Sequence, residues 1–423
     1  MRNIICIGPG PIFKGGISNY NTSLAKALDK EPKTEVHILS WVEQYPRIIP
    51  RKFKDTISKS NLLENTQINV EYILNFNKIS SWKRTVERIL EINPQLVIIQ
   101  WAIALQGIPL SYIVRRLKKH KNIEVVGDLH FILQKEGSRL DSLLTKRALS
   151  SMGTYITHSL KTVRELDSLF DNKHVLASRD GDRQINQNQV VNLFHPVYKL
   201  FQPDPLFDKE KFKKHLGLKK HVFLFFGFIR KYKGLHHVIK AFHKLRQERD
   251  DVSLLICGED FWNTVDNSKF SVKIKKIIFG IAKKVLLRTN NDEQDYRPLE
   301  TIKHLGVQDC HVFSDFIPNE DVSKYFQVSD AVLLFYLYAT PSGVESLSYN
   351  FRLPALATKV GHFPETINDG VDGYLAEAGS LESMKEVMNK SIENPINKKE
   401  IDKKAQKMSW KNYAKAILRP YNY

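Results

Sequence analysis

The strongest constraint on this chain is an alternation along its length. Short apolar runs at Ile4–Ile7, Glu35–Leu39, Leu96–Ile99, Val125–Gly127 and Thr154–Thr157 recur in the second half at Val222–Phe226, Ser253–Cys257, His311–Phe313, Ala331–Phe335 and Ala355–Ala357. They are continuously apolar rather than alternating, the pattern of strands buried on both faces in a parallel sheet. Between them, Ser18–Leu28, Leu140–Leu149, Leu235–Leu245 and Leu381–Lys390 carry helical spacing. The pattern predicts an α/β chain of doubly wound sheets. Five runs precede the polar, proline-bearing stretch 186–205 and five follow it, so two similar halves joined near Pro196–Pro205 are expected.

Length agrees with that division. At 423 residues and 42% hydrophobic content the chain can fill two or three cores, given roughly 150 residues per domain. No apolar run reaches the roughly 18 residues of a membrane span, and Ile4–Ile7 is too brief for a signal peptide. Three isolated cysteines, Cys6, Cys257 and Cys310, fit a reducing cytoplasm. The 64 Lys and Arg against 46 Asp and Glu give a net charge of +18, which attracts nucleic acid, anionic lipid or phosphorylated ligands without choosing among them.

Three loops narrow the choice. Phe225–Gly234, FFGFIRKYKG, follows a predicted strand and precedes a predicted helix, so cationic side chains meet free backbone N–H groups at a helix N-terminus. There Arg230 can grip phosphate oxygens bidentately and Lys233 adds a mobile point charge. A solvated basic turn reads equally well from this loop alone. After the first run, Gly8–Gly16 satisfies neither GxGxxG, because Phe13 occupies the third glycine position, nor the P-loop pattern. It leaves Gly15 and Gly16 at a helix start, either for close approach to a ligand or simply as a tight turn. In the third loop, Ser342 and Glu345 have capping-box spacing, which predicts a helix from Gly343 and explains Glu345 more cheaply than catalysis does. The N–H groups at Gly343 and the hydroxyls of Thr340 and Ser342 can receive another phosphate oxygen. Asp180-Gly181-Asp182 matches a DxD metal string but lies in a polar loop with no buried strand before it, so no metal site is expected there.

These pieces, with QYPRIIP at 44–50, LVIIQWA at 96–102, DLHFILQKE at 128–136, THS at 157–159, FHPVYKLF at 194–201 and the ATPSG to DGYL segment, keep an order and spacing that resembles the family 4 glycosyltransferases over nearly the whole chain. The resemblance implies a GT-B fold, two Rossmann-like domains facing across a cleft. It places an acceptor domain at 1–200 and a nucleotide-sugar donor domain at 201–404, with a terminal helix within 405–423 crossing back. It further implies donor diphosphate binding by Arg230 and Lys233, with Arg230 two places later than in the commonest form of the motif. The family's histidine near the reacting sugar falls on His130, which otherwise reads as a strand-end histidine satisfied by backbone. Gly15, Gly16, Thr340, Ser342 and Gly343 complete the implied donor site. The nucleotide sugar is then substrate, with no further cofactor and no metal.

Two features depart from the pattern. The family's two glutamates ahead of the proline matched by Pro354 fall, counted back without gaps, on Ala339 and Leu347, and the sequence shows no displaced carboxylate in their place. The chain follows instead a branch carrying ATxSG. An apparent insertion at about 262–298 contains KFSVKIKKIIFGIAKKVLLR at 269–288, with seven cations and no acid. As a helix about 30 Å long its apolar face suits either an anionic membrane surface or packing on its own domain. The expectation is a cytoplasmic hexosyltransferase, peripheral at the inner membrane face if that helix is interfacial, serving cell-surface polysaccharide assembly with a glycan or lipid-linked acceptor. The alternatives are a non-catalytic homologue or a nucleotide-sugar epimerase; no nucleic-acid motif is present.

Overall fold

The computed structural model describes residues 1–47, 53–132, 139–170, 175–177, 185, 189–259 and 296–421. The basic segment 269–288, nearly all of the 262–298 insertion and the Asp180–Asp182 string lie outside the described residues.

Two fully parallel sheets carry the fold. The first contains β1 (Arg2–Ile7), β2 (Thr34–Glu43), β3 (Asn69–Asn75), β4 (Leu96–Trp101), β5 (Glu124–Leu129), β6 (Thr154–Thr157), β7 (Val175–Ala177) and β8 (Gln189–Asn192), in the order β3-β2-β1-β4-β5-β6-β8-β7. The second contains β9 (His221–Phe226), β10 (Val252–Cys257), β11 (Cys310–Phe313), β12 (Ala331–Leu334), β13 (Ala355–Thr358) and β14 (Gly373–Ala376), in the order β11-β10-β9-β12-β13-β14. Helices cover both faces. Along β1, Ile4 and Cys6 enter one core while Ile5 and Ile7 enter another, and Val222 and Leu224 separate from Phe223 and Phe225 in the same way. This two-sided burial is why the strands read as unbroken apolar runs.

The ten expected runs all form strands. Four further strands were not legible. Edge strand β3 is half-exposed and therefore lacks a continuous apolar run, and β7 and β14 are short edge strands. Strand β8 corrects the reading of 186–205 as a polar connection: Val190 and Val191 are buried in the sheet there, and the chain leaves the first sheet only after Asn192.

One core is shared by both halves. It runs from Ile4 and Leu24 through Val197 and Phe201 to Leu224 and Leu334, and the chain end joins it. The helix Lys398–Lys407 stays with the second half, where Arg352 pairs with Asp402 at 2.7 Å. The helix Trp410–Leu418, capped by Ser409 Oγ accepting from Asn412 N, then lies against the helix Gly16–Asp29. Tyr20 and Tyr413 share a 2.7 Å hydroxyl hydrogen bond, and Arg2 donates to the carbonyl of Tyr421 at 2.8 Å. Ile417→Ala, which opens a cavity in this returning helix, is expected to lower unfolding free energy by about 2–5 kcal/mol in a denaturant titration.

Candidate functional site

Each sheet reverses its winding direction near its middle, between β1 and β4 and between β9 and β12. Open α/β sheets bind ligands beyond the strand ends at such points. The glycine loop leaves β1 and the basic loop leaves β9, so the two sequence-singled loops sit at the two reversals. A cleft of about 290 Å³ lies between them and gathers all the expected site residues: Gly15, Gly16, His130, Arg230, Lys233, Thr340, Ser342 and Gly343 line it together.

The basic loop is clamped from below. Leu337 N donates to Tyr232 O at 2.7 Å, and Gly234 takes a left-handed φ of 67° with its Cα against β12. A Cβ there would lie 2.2 Å from the Phe335 carbonyl, so only glycine allows this turn. Lys233 is not the mobile surface charge expected from the sequence. It is only 7% exposed, with Nζ 3.4 Å from the Phe226 carbonyl and 5.9 Å from the Tyr336 ring centroid. Burial, reinforced by the charge of Arg230, pushes its pKa down to about 7.

Two helices begin in the cleft wall without a side-chain cap, Gly16–Asp29 and Gly343–Asn350; a third, Leu235–Glu248, starts behind the basic loop, where His236 N donates to Tyr296 Oη at 3.2 Å. Elsewhere the starts at Ser159, Asp208, Ser380, Asn397 and Ser409 are closed by their side chains, while those of Ile79–Ile92 and Gly107–Leu117 are not. An uncapped start leaves N–H donors and the positive end of the helix dipole facing the cavity. Gly15, at φ 104°, turns the chain into the first of these helices, and the place where a Gly16 Cβ would stand is open space. Across the cleft, Tyr198 Oη donates to Gly16 O at 3.1 Å, and its ring occupies the place a Gly343 side chain would need.

The helix at Gly343 starts where the capping-box spacing put it, but the reciprocal cap is not made. Ser342 accepts no capping hydrogen bond, and Glu345 turns inward to His362 Nε2 at 2.7 Å. Burial pushes the Glu345 carboxyl up, and the His362 pairing outweighs it, holding it below the ordinary carboxylate value. Glu345 is thus a core residue behind the cleft, away from any reacting group. Ala339 and Leu347, where the family's glutamates would fall, are buried without carboxylates, and Leu347 lines the cavity.

A carboxylate nevertheless faces the cleft from another strand. Glu259, two residues beyond β10, pairs with Lys14 of the glycine loop at 3.3 Å, and its carbonyl accepts from Ile229 N at 3.0 Å. Lys14 also sits 4.4 Å from the Phe316 ring centroid. Sequence reasoning missed both residues. Their only signal was adjacency, Lys14 to the glycine pair and Glu259 to a predicted strand end.

His130 stands at the end of β5, only 6% exposed, its backbone N donating to Trp101 O at 2.9 Å. The backbone satisfaction expected of a strand-end histidine is therefore present, and the ring still reaches the cleft. Its Nε2 is 2.7 Å from Gln100 Oε1, and burial pushes its pKa down to about 4 although Asp128 pulls it the other way. Behind it, Asp128 is 2.9 Å from His158 Nε2. Burial alone would raise the Asp128 carboxyl, but the charge and hydrogen bond of His158 hold it below its ordinary value.

Comparison with known proteins agrees with this geometry. Residues 207–408 match the family described as glycosyl transferases group 1. The chain is 25% identical to spore coat protein SA of Bacillus subtilis (strain 168) over 174 residues, which is 40% of this chain and 38% of that protein. The chain thus spans well under half the length of that curated relative. Among solved structures it resembles sucrose-phosphate synthase of Thermosynechococcus elongatus, with TM-score 0.64 and 14% identity, covering 100% of this chain and 98% of that one. It also resembles Anabaena Alr3699/HepE in complex with UDP and glucose, with TM-score 0.61, 14% identity and the same coverage. Two parallel Rossmann-like sheets meeting at one cleft give this chain the GT-B fold of those solved structures, and residues 207–408, which carry the second sheet, match the glycosyl transferases group 1 family.

Proposed function

We propose that the chain transfers a hexosyl residue from a uridine diphosphate sugar to a glycan or lipid-linked acceptor. The observation that carries this reading is the convergence of Arg230, Lys233 and the uncapped helix starts at Gly16 and Gly343 on one cavity beside His130. A departing nucleoside diphosphate develops negative charge, and fixed cations with oriented N–H groups stabilise it as it forms. Such a site performs the role that a bound divalent ion plays elsewhere, which supports a metal-independent reaction. The family resemblance implies no enzymic nucleophile and supports retention of anomeric configuration.

The uridine assignment draws on the solved relative whose complex contains UDP and glucose. The role in cell-surface polysaccharide assembly draws on the spore-coat relative and on the family resemblance. Among the described residues no helix is long and apolar enough to cross a membrane. A lipid-linked acceptor would therefore be met at a membrane surface, and the +18 charge favours an anionic one. A second reading, a nucleotide-binding homologue without transfer, is favoured by Ala339 and Leu347 standing where the family's carboxylates would be.

Two outcomes test the proposal. Incubated with UDP-hexoses and a lipid extract containing glycan acceptors, the protein is expected to release UDP in an acceptor-dependent manner that survives EDTA. NMR of the product should show retained configuration, and Lys233→Ala should lower kcat/KM by about 100-fold. UDP release without acceptor and with an epimerised free sugar is the epimerase result, and no release with any donor is the non-catalytic one.

The second outcome is a pH dependence. Free Lys233 has a depressed pKa of about 7, and an anionic ligand favours its charged form, so binding takes up a proton above that pH. Affinity for a UDP-hexose is therefore full below pH 7 and falls above it, approaching tenfold per unit. The diphosphate of a nucleotide sugar has no ionisation in this window, so the trend belongs to the protein. Calorimetry between pH 6 and 9 should show it, and Lys233→Met should bind weakly with a flat profile.

A further inference from the structure

We infer that Gln100 is a positioning residue that sets which ring nitrogen of His130 carries the proton, leaving Nδ1 bare as an acceptor for a sugar hydroxyl. This deepens the reading of the cleft as a sugar-transfer site and rests on it for the identity of the hydroxyl.

The argument is one of donors and acceptors. Gln100 on β4 and Asp128 on β5 are register partners in neighbouring strands, so their side chains project to the same face. Gln100 Nε2 lies 3.4 Å from Asp128 Oδ2, while His158 Nε2 lies 2.9 Å from Asp128 Oδ1. An ionised carboxylate only accepts, so the Gln100 amide must turn its NH2 group towards Asp128. Its carbonyl oxygen then faces His130 Nε2 at 2.7 Å and can only accept from it. The proton of a neutral His130 is thereby assigned to Nε2. Nδ1 makes no hydrogen bond with the described residues, and the ring lines the cleft.

The surroundings keep the ring neutral. His130 faces Asp128 and His158 at the ends of β5 and β6 and Tyr20 of the helix Gly16–Asp29, with ring centroids 5.7 Å from His158 and 4.6 Å from Tyr20. His195, on the segment after β8, also feels its charge. Burial dominates, so at neutral pH the ring has a lone pair and no positive charge. Such a ring orients a hydroxyl by accepting its proton; it does not protonate the departing diphosphate. The Gln100 placement also explains Gly8, where a Cβ would stand 2.7 Å from Gln100 Cγ.

The tautomer can be read directly, without turnover, in full-length protein carrying [15N]histidine. His130 is assigned by the resonance lost in His130→Asn. At pH 7 its ring is expected to show a protonated Nε2 and a bare Nδ1; a proton on Nδ1, or on both nitrogens, overturns the inference. Gln100→Leu is expected to give a mixture of tautomers, and an unchanged Nε2–H form would show that Gln100 does not set it. Gln100→Glu keeps an acceptor at the same place, so the Nε2–H tautomer should persist while the His130 titration moves to higher pH. An unmoved titration contradicts the contact even if Gln100→Leu fails to fold. Because these spectra need no substrate, a chain that transfers no sugar would leave them intact, and the two readings fail separately.

Discussion

Everything at the cleft depends on an ammonium group held where water cannot reach it well. Lys233 lies at the end of a hydrophobic strand, with a carbonyl and an aromatic ring for neighbours and, among the described residues, no carboxylate in ion-pairing range. Removing an amine from water disfavours its charged form, which is why its pKa falls so far. A buried charge of this kind is tolerated because the surrounding fold over-determines it. Gly234 can turn only as it does, Leu337 fixes the loop through Tyr232, and Val222, Phe223, Leu224 and Phe225 of β9 beneath are buried. The penalty is relieved when an anion arrives, so the cost of burial becomes differential affinity for a diphosphate.

The remaining architecture presents that site. Parallel strands deliver all their carboxyl ends to one side, and the winding reversals at β1/β4 and β9/β12 open a gap there in each half. The shared core and the returning helix Trp410–Leu418 hold the halves face to face. Lys14 and Glu259 bridge the opening directly. The helix starts at Gly16 and Gly343 border the gap without a side-chain cap. Their free N–H donors face the place where the diphosphate charge would sit.

Much of this was legible in the residues. The ten apolar runs became strands because two-sided burial forces continuity, and the helices at Gly16 and Gly343 began where the glycine pair and Ser342 marked them. Strand β3 escaped because a half-exposed edge has no continuous run, and β8 because Gln189 and Asn192 flank only two apolar residues. Among the site residues, Arg230, Lys233, Gly15 and Gly16 carried local signals of charge and backbone freedom. The inward turn of Glu345 did not, because its partner His362 comes from the other side of β13. Lys14 with Glu259, and Gln100 with His130, are pairs made by tertiary proximity between strand ends far apart in sequence. Nothing in their local spacing announces them.

The most direct test of the account is amide hydrogen exchange of the intact protein with and without saturating UDP. The claim that one ligand is held from both halves predicts protection at 14–18, at 230–236 and at 342–346, with little change at the helix Trp410–Leu418. Protection confined to one half, or located away from these three helix starts, would contradict it.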